Sequence, residues 1–386
     1  MKIVFINVYS LYGKEIELYE PGTDAFFQFG MGQFIAEKFH HFGYEITFES
    51  WRLDQRISKL MEKEIDGIVY RIFPSIKHKV IGEFSIRFAQ SLIKSSMNKD
   101  VVFHFMGSHM LNFHILNFLA RKRKSISTHL GGANPLWKYR ENKKLGSYVY
   151  YLFERFIFLK YYDHFLTICK PEVEYYKSMR LNVTHMPVFG ISREHDFIIK
   201  DRIECRNRLG LPLNKKILLQ VGRATQDRGF DWIIELIDHY QKNEEYFMVF
   251  VGVHKEDPYF ADLNQRNVLI IDYVDVDDLC DYYNAADVLI FLLHNKLEMN
   301  FGGTGYVPME SLICGTPVIS TTFNSFPDPS INEVSRIPQS YEEVIPMIED
   351  ILKTNISREK CREIVMETFS WEKVITKHYE LYSSTQ

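Results

Sequence analysis

The sequence predicts an α/β protein of two Rossmann-like domains, each an open parallel sheet covered by helices. Three observations carry that expectation. The apolar run 3–8 leads through a loop holding Gly30-Met31-Gly32 into a helix-patterned stretch, 33–42, which Gly43 ends before the chain turns apolar again at 44–48. The same grammar restarts at 217–221, where Gly222-Arg223 ends a strand and Phe230, Ile233, Ile234 and Ile237 mark one face of a helix. Between the two, 192–214 is polar and contains Pro212, so the boundary falls near residue 195, with residues 1–195 in the first domain and 196–369 in the second.

Taken in order, the remaining elements fit this plan. Val101–Phe105 and Ser125–Thr128 read as short strands, and the second runs into His129-Leu130-Gly131-Gly132, a histidine and paired glycines where a substrate would sit. A further strand is expected over 163–168. In the second half, 247–251 with Gly252, 268–271, 288–293 and 318–319 are apolar runs bounded by polar residues, as in strands covered on both faces. Asp275-Val276-Asp277 has the form of a divalent-metal ligand pair, but Asp275 ahead of Leu279, Tyr282 and Tyr283 reads as a helix N-cap, so no metal is expected. Pro308 and Gly315 frame a helix between 288–293 and 318–319, which puts Glu310 in its first turn, behind the loop Gly302-Gly303-Thr304-Gly305.

Backbone amides of a glycine loop and a helix N-terminus favour anions, so a carboxylate at the same place is not meant for phosphate. Glu310 either accepts hydrogen bonds from the paired hydroxyls of a ribose or merely faces the helix dipole. Arg223 and Arg228 share one strand-end loop. Two planar, permanently charged forks there suit a diphosphate; the alternative is a pair of surface salt bridges.

Composition sets limits. The 386 residues are 46% hydrophobic and 25% charged, ordinary globular values that allow two real cores. No apolar run reaches the length of a membrane span, and the N-terminus reads as a strand rather than a signal peptide. Five cysteines, odd in number and without metal-like spacing, suit reduced thiols in a cytoplasmic setting, so the Asn-x-Ser/Thr matches at Asn182 and Asn355 are read as chance.

Charge is uneven although the net is only −4: residues 1–195 hold 27 Lys and Arg against 19 Asp and Glu, leaving the remainder acidic. Arg121-Lys122-Arg123-Lys124 and the aromatic stretch 148–162 either hold an anionic membrane surface or form a solvated helix face over an aromatic core. No nucleic-acid-binding module accompanies the charge. His104, His109 and the pair His40-His41 read as core or surface.

Cys314-Gly315-Thr316-Pro317-Val318-Ile319, with Glu310 before it, resembles the C-terminal signature of family 4 glycosyltransferases, enzymes of the GT-B fold. In that signature a first glutamate precedes Glu310 by seven intervening residues; here its position is Gly302, and Glu298 does not have the spacing to replace it. Gly222-Arg223 followed by Arg228 is similar to the family's Gly-Arg, four residues, Lys pattern. Phe189-Gly190-Ile191-Ser192 stands where Asn-Gly-Ile-Asp is usual.

The resemblance implies two domains facing across a cleft, with a C-terminal helix of about residues 370–386 crossing back to the first. It also implies a retaining, metal-independent transferase taking a nucleoside diphosphate sugar as co-substrate and a glycan, lipid-linked or small-molecule acceptor. Under it His129 contacts the donor sugar or departing phosphate, and Arg223, Arg228, Gly32, Gly303, Thr304 and Gly305 face the diphosphate. Glu310 takes the ribose, Tyr273 and Val274 the base, and Gly302 and Tyr306 lie in the donor-sugar loop. A nucleotide-sugar epimerase of the same fold, or a partner subunit with a decayed site, are the rival readings.

Overall fold

The computed structural model describes residues 1–7, 19–29, 32–79, 81–107, 109–128, 143–191, 196–293 and 305–384. The chain forms two compact α/β units. One comprises Met1–Thr167, Glu172–Phe189 and Val374–Gln386, and the other Ile168–Pro171 and Gly190–Lys373.

The first unit is built on an eight-stranded sheet. Its strands are β1 (Lys2–Asn7), β2 (Thr47–Asp54), β3 (Met61–Ile65), β4 (Ile68–Pro74), β7 (Val101–Phe105), β8 (Ser125–Thr128), β9 (His164–Thr167) and β10 (Val183–His185); β5 (Ile76–His78) and β6 (Gly82–Phe84) form a separate hairpin. The order is β10-β9-β8-β7-β1-β2-β4-β3, parallel throughout except for β3 against β4. β7 and β8 have the limits expected of them. β2 does not: the expected strand 44–48 begins only at Thr47 and runs on to Asp54.

The physical reason is that β2 buries polar groups that satisfy one another. Arg52 pairs with Asp54 at 2.9 Å and donates to the Phe26 carbonyl at 2.6 Å, while the Trp51 indole donates to Glu49 at 2.7 Å. Tyr44, expected in the strand, instead packs its ring against Phe39 and Tyr379.

The C-terminal helix, Trp371–Ser384, returns to the first unit from Val374 onward. Tyr382 is fully buried there and its hydroxyl lies 2.8 Å from His104 Nδ1, while His104 Nε2 lies 2.5 Å from Thr128 Oγ1. Burial, with His378 nearby, holds the His104 imidazole well below its ordinary value, so it is neutral and can donate from one nitrogen and accept at the other. His104 is thus a core residue, one of the two places that the sequence left open for it.

His109 is also core, but in a setting that the sequence did not indicate. The aromatic stretch forms one helical run: an α-helix Leu145–Phe153, a π-helical turn Glu154–Phe158 and a 3-10 turn Leu159–Tyr161. From it Glu154 reaches inward to His109 Nδ1 (2.8 Å) and His114 Nε2 (2.9 Å), while Glu172 lies 3.0 Å from His109 Nε2. All four side chains are buried. Burial alone would push the His109 imidazole down, but Glu154 and Glu172 outweigh it and raise it to about 10. Burial would likewise raise the Glu154 carboxyl; His109 and His114 outweigh it and hold it near about 2.

Removing one partner from such a cluster leaves a buried charge uncompensated, so His109→Leu should destabilise the chain by about 3–5 kcal/mol in urea melts at pH 6. The pH dependence follows from the two directions. The raised His109 contributes fully below its ordinary value of 6.5 and loses that contribution as pH climbs toward about 10. The lowered Glu154 contributes fully above its ordinary 4.5 and loses it as pH falls toward about 2. The gap between wild type and variant should therefore be widest between those two ordinary values and shrink on both sides; a gap independent of pH would contradict the ion cluster.

Candidate functional site

The second unit has six parallel strands, β11 (Lys216–Val221), β12 (Tyr246–Val251), β13 (Leu269–Ile271), β14 (Val288–Phe291), β15 (Val318–Ser320) and β16 (Ser335–Arg336), in the order β13-β12-β11-β14-β15-β16. The chain winds outward from β11 to β13 and then returns to the other side of β11 as β14. The strand order therefore reverses between β11 and β14, the point at which open α/β sheets generally bind their ligands.

The loops on each side of that reversal are fixed by short-range constraints. Gly229 follows a 3-10 turn, Gln226–Arg228, and takes φ +68°; a Cβ on it would lie 2.7 Å from the Leu292 carbonyl oxygen. Only glycine meets both the left-handed backbone and that approach. The turn thereby rests on the end of β14, with the Arg228 guanidinium carbon 5.8 Å from the centroid of the Phe291 ring. Gly305, the N-cap of helix Tyr306–Ile313, abuts the same ring: a Cβ there would lie 3.6 Å from Phe291 Cε1. Phe291 thus joins Arg228 to the amino end of that helix.

Arg223 is 63% exposed at its side chain, yet anchored. Its Nε and Nη2 donate to one oxygen of Asp257 at 3.0 and 2.9 Å, and the buried Asp257 also accepts from the Ala224 and His254 amides at 2.9 and 3.1 Å. Burial would raise this carboxyl, but the two amides and the guanidinium together hold it below the ordinary carboxylate range. One acid therefore ties the loop after β11 to the loop after β12.

Glu310 departs from expectation. The helix begins at Tyr306, so Glu310 is its fifth residue and lies in the second turn rather than the first. The reason is local: Gly305 takes the non-helical N-cap backbone, and Pro308 occupies the third helical position instead of opening the helix. The half-buried Glu310 accepts a hydrogen bond of 2.8 Å from the hydroxyl of Tyr283, a fully buried ring on helix Val276–Ala285.

Tyr273, just past β13, is 82% exposed, whereas Val274 packs against the core. Asp275 caps helix Val276–Ala285, accepting from the Asp278 amide at 2.9 Å, as read from the sequence. Among the described residues no group of three or more His, Cys, Asp or Glu side chains is placed to hold a metal. In the first unit, Gly32 opens helix Gly32–His41 against β1, where a Cβ would fall 2.3 Å from Phe5 Cγ. Glycine there permits close packing of helix on strand. His129, Glu298, Gly302, Gly303 and Thr304 lie outside the described residues.

The structure thus sets Arg223, Arg228, Gly305, Tyr306 and Tyr273 along the carboxyl edge of one sheet, with Glu310 one turn further into the helix. Sequence reasoning missed Asp257, whose role arises only when the two loops meet. It also missed the hydrogen-bonded pair of His254 and Asp272 at the ends of β12 and β13, although a histidine two residues after the strand-ending Gly252 was a usable signal.

Residues 201–367 match the family described as glycosyl transferases group 1, which covers most of the second unit and less than half of the chain. An uncharacterized glycosyltransferase of Methanocaldococcus jannaschii is 22% identical over 195 residues, 47% of this chain and 48% of its own length. The chain spans about half the length of that curated relative. Among solved structures, sucrose-phosphate synthase of Thermosynechococcus elongatus superposes with a TM-score of 0.60 at 16% identity, over 99% of this chain and 98% of that one. A glycosyltransferase of Rickettsia africae gives 0.61 at 14% identity, over 100% and 98%. The fold is accordingly GT-B: two Rossmann-like α/β units with a C-terminal helix returning to the first.

The constraint at Gly229 is separable from backbone strain alone. Gly210 has nearly the same φ, +65°, but no atom within 4 Å of a built Cβ. Gly210→Ala should cost about 1–2 kcal/mol from the left-handed backbone. Gly229→Ala should cost a further amount of about 1–3 kcal/mol from the forced contact with Leu292, both read from urea melts. Equal losses would mean that the loop can move away from β14 freely.

Proposed function

We propose that this chain is a retaining glycosyltransferase that moves a sugar from a nucleoside diphosphate sugar to a glycan, lipid-linked or small-molecule acceptor, without a metal. The observation that carries the reading is the seating of Arg228 and the Gly305 helix end on the same Phe291 ring, at the point where the strand order reverses. Cationic forks, amide donors and an exposed ring are the groups a nucleoside diphosphate requires, and they lie along one edge.

In this reading residues 196–369 bind the donor, and residues 1–195 with the last helix present the acceptor. Sugar transfer leaves a nucleoside diphosphate, so negative charge grows on the departing phosphate. Arg223 and Arg228, with the amides of Gly32, Gly303, Thr304 and Gly305, stabilise that charge electrostatically and stand in for a metal. Tyr273 and Val274 hold the base: β13 lies two strands from β11, roughly 10 Å away, a distance that a nucleoside spans. Glu310 takes the ribose hydroxyls once its acceptor capacity turns from Tyr283 to the ligand. Gly302 and Tyr306 border the sugar, and His129 contacts the sugar or the leaving phosphate. Retention follows from the family resemblance, with attack on the face that the leaving group departs from.

The setting that goes with this reading is cytoplasmic, at the inner face of a membrane. No helix among the described residues is long and apolar enough to cross a membrane, so the contact would be peripheral.

Calorimetry with uridine, guanosine and adenosine diphosphates tests the donor site. One of them should bind, and Arg223→Ala or Arg228→Ala should each weaken it about tenfold, the loss of one charge-assisted hydrogen bond. His129→Ala should lower turnover more than it weakens nucleotide binding. No binding of any diphosphate would point to the decayed partner subunit, and release of free epimer from donor without acceptor would point to the epimerase.

A further inference from the structure

The helical run 145–161 of the first unit is amphipathic in the wrong sense for a globular protein. Its inner side carries polar groups: Glu154 lies in the His109–His114 cluster, Tyr150 and Tyr151 turn toward His114 and Tyr175, and Phe158 stacks on the His114 ring at 5.1 Å. Its outer side is apolar. Leu145 is 71% exposed, Phe153 52% and Phe156 66%, with Val149 and Ile157 exposed between and beyond them. None of the nine residues of the α-helical part is buried. Spacings of four residues from 145 to 149 to 153 keep these side chains on one side. The π-helical turn then inserts the residue that lets Glu154 point inward while Phe153 and Phe156 both point out.

Contiguous exposed apolar surface of this kind marks something that covers it. Charge identifies what. Lys143, Lys144, Arg155 and Lys160 accompany the stripe, and its one acid, Glu154, is buried and neutralised internally. At the far end the basic cluster Arg121–Lys124 is continuous with it: Phe118 packs on Tyr161 at 5.0 Å, Arg121 lies over Phe118 at 4.0 Å, and Lys160 lies over Tyr161 at 5.3 Å. A second copy of the chain on this face would set cation against cation. A bilayer with anionic headgroups accepts both the rings and the charge.

We propose that the outer face of helix Leu145–Phe153 and the turn after it lies in the interface of an anionic membrane, with Leu145, Val149, Phe153, Phe156 and Ile157 inserted and Arg121–Lys124 held on the headgroups. This deepens the peripheral contact named above and gives it residues.

Sedimentation of the full chain with vesicles tests it. Vesicles of phosphatidylglycerol and phosphatidylcholine should pellet the protein, and phosphatidylcholine alone should pellet at least tenfold less. Phe153→Ser with Phe156→Ser, both at exposed positions, should reduce binding to anionic vesicles at least tenfold while leaving the unfolding midpoint and diphosphate binding in solution unchanged. Equal binding to both vesicle types, or unchanged binding by the double variant, would overturn the proposal. So would a concentration-dependent dimer that the same variant abolishes, because the face would then be a self-interface. Failure of vesicle binding with intact diphosphate binding strikes this proposal alone, and the reverse result strikes only the donor site.

Discussion

The approach of Gly229 to the Leu292 backbone fixes the carboxyl edge of the second unit. A side chain on that residue would hold the loop after β11 away from β14 by the width of a methyl group. The loops at the strand reversal would then move apart, and Arg228 would leave the Phe291 ring. A contact of one backbone with another, with no side chain to soften it, transmits position rigidly, because a packed interior yields little to compression. The Asp257 carboxylate does the corresponding task on the other side of β11. It cannot be removed without stranding the Ala224 and His254 amides.

The first unit solves a different problem. Its helical run turns a greasy face outward, so it cannot be held down by burying that face. The holding interaction is instead the ion cluster of His109, His114, Glu154 and Glu172, together with ring contacts from Tyr150, Tyr151 and Phe158. Buried ion clusters contribute little net stability compared with a well-packed apolar core, but they are intolerant of misplacement. Such an anchor suits a helix whose orientation matters more than its adhesion. It explains why polar groups lie beneath this helix where apolar ones are usual.

Much of this was legible in the sequence. Val101–Phe105 and the strands of the second unit other than β16 stood out because strands covered on both faces are largely apolar, whereas β16, Ser335-Arg336, carries no such pattern. The strand-end location of Arg223, Arg228 and Tyr273 followed from the same reading. What escaped had physical reasons. β2 carries Glu49, Arg52 and Asp54 into the core, and their mutual pairing is invisible to hydrophobic pattern. β3, Met-Glu-Lys-Glu-Ile, is an exposed edge strand and reads as loop. Pro308 does lie in the first helical turn, but Gly305 sets the cap two residues earlier than a proline-led start implies, so Glu310 falls in the second turn. The contacts His109–Glu172 and Arg223–Asp257 join residues 63 and 34 positions apart, and no local spacing encodes such meetings.

The two arginines of the edge differ in kind, and the difference bears on how the proposed donor would be held. Arg223 commits Nε and one terminal nitrogen to an ionised, buried Asp257, so the pair adds little net charge and its value is directional: the remainder of a planar fork points along a fixed line. Among the described residues Arg228 meets the exposed Asp227 at 4.0 Å and the Phe291 ring beneath it, so it brings a positive charge with little orientational constraint. A point charge seated on a ring does not require a guanidinium, and an ammonium would serve. That accounts for the departure noted at this position, where the resembling family has lysine: the substitution falls on the member of the pair whose chemistry is least specific. The anchored position, by contrast, keeps its arginine, because only a fork can hold a buried acid with one side and present donors with the other.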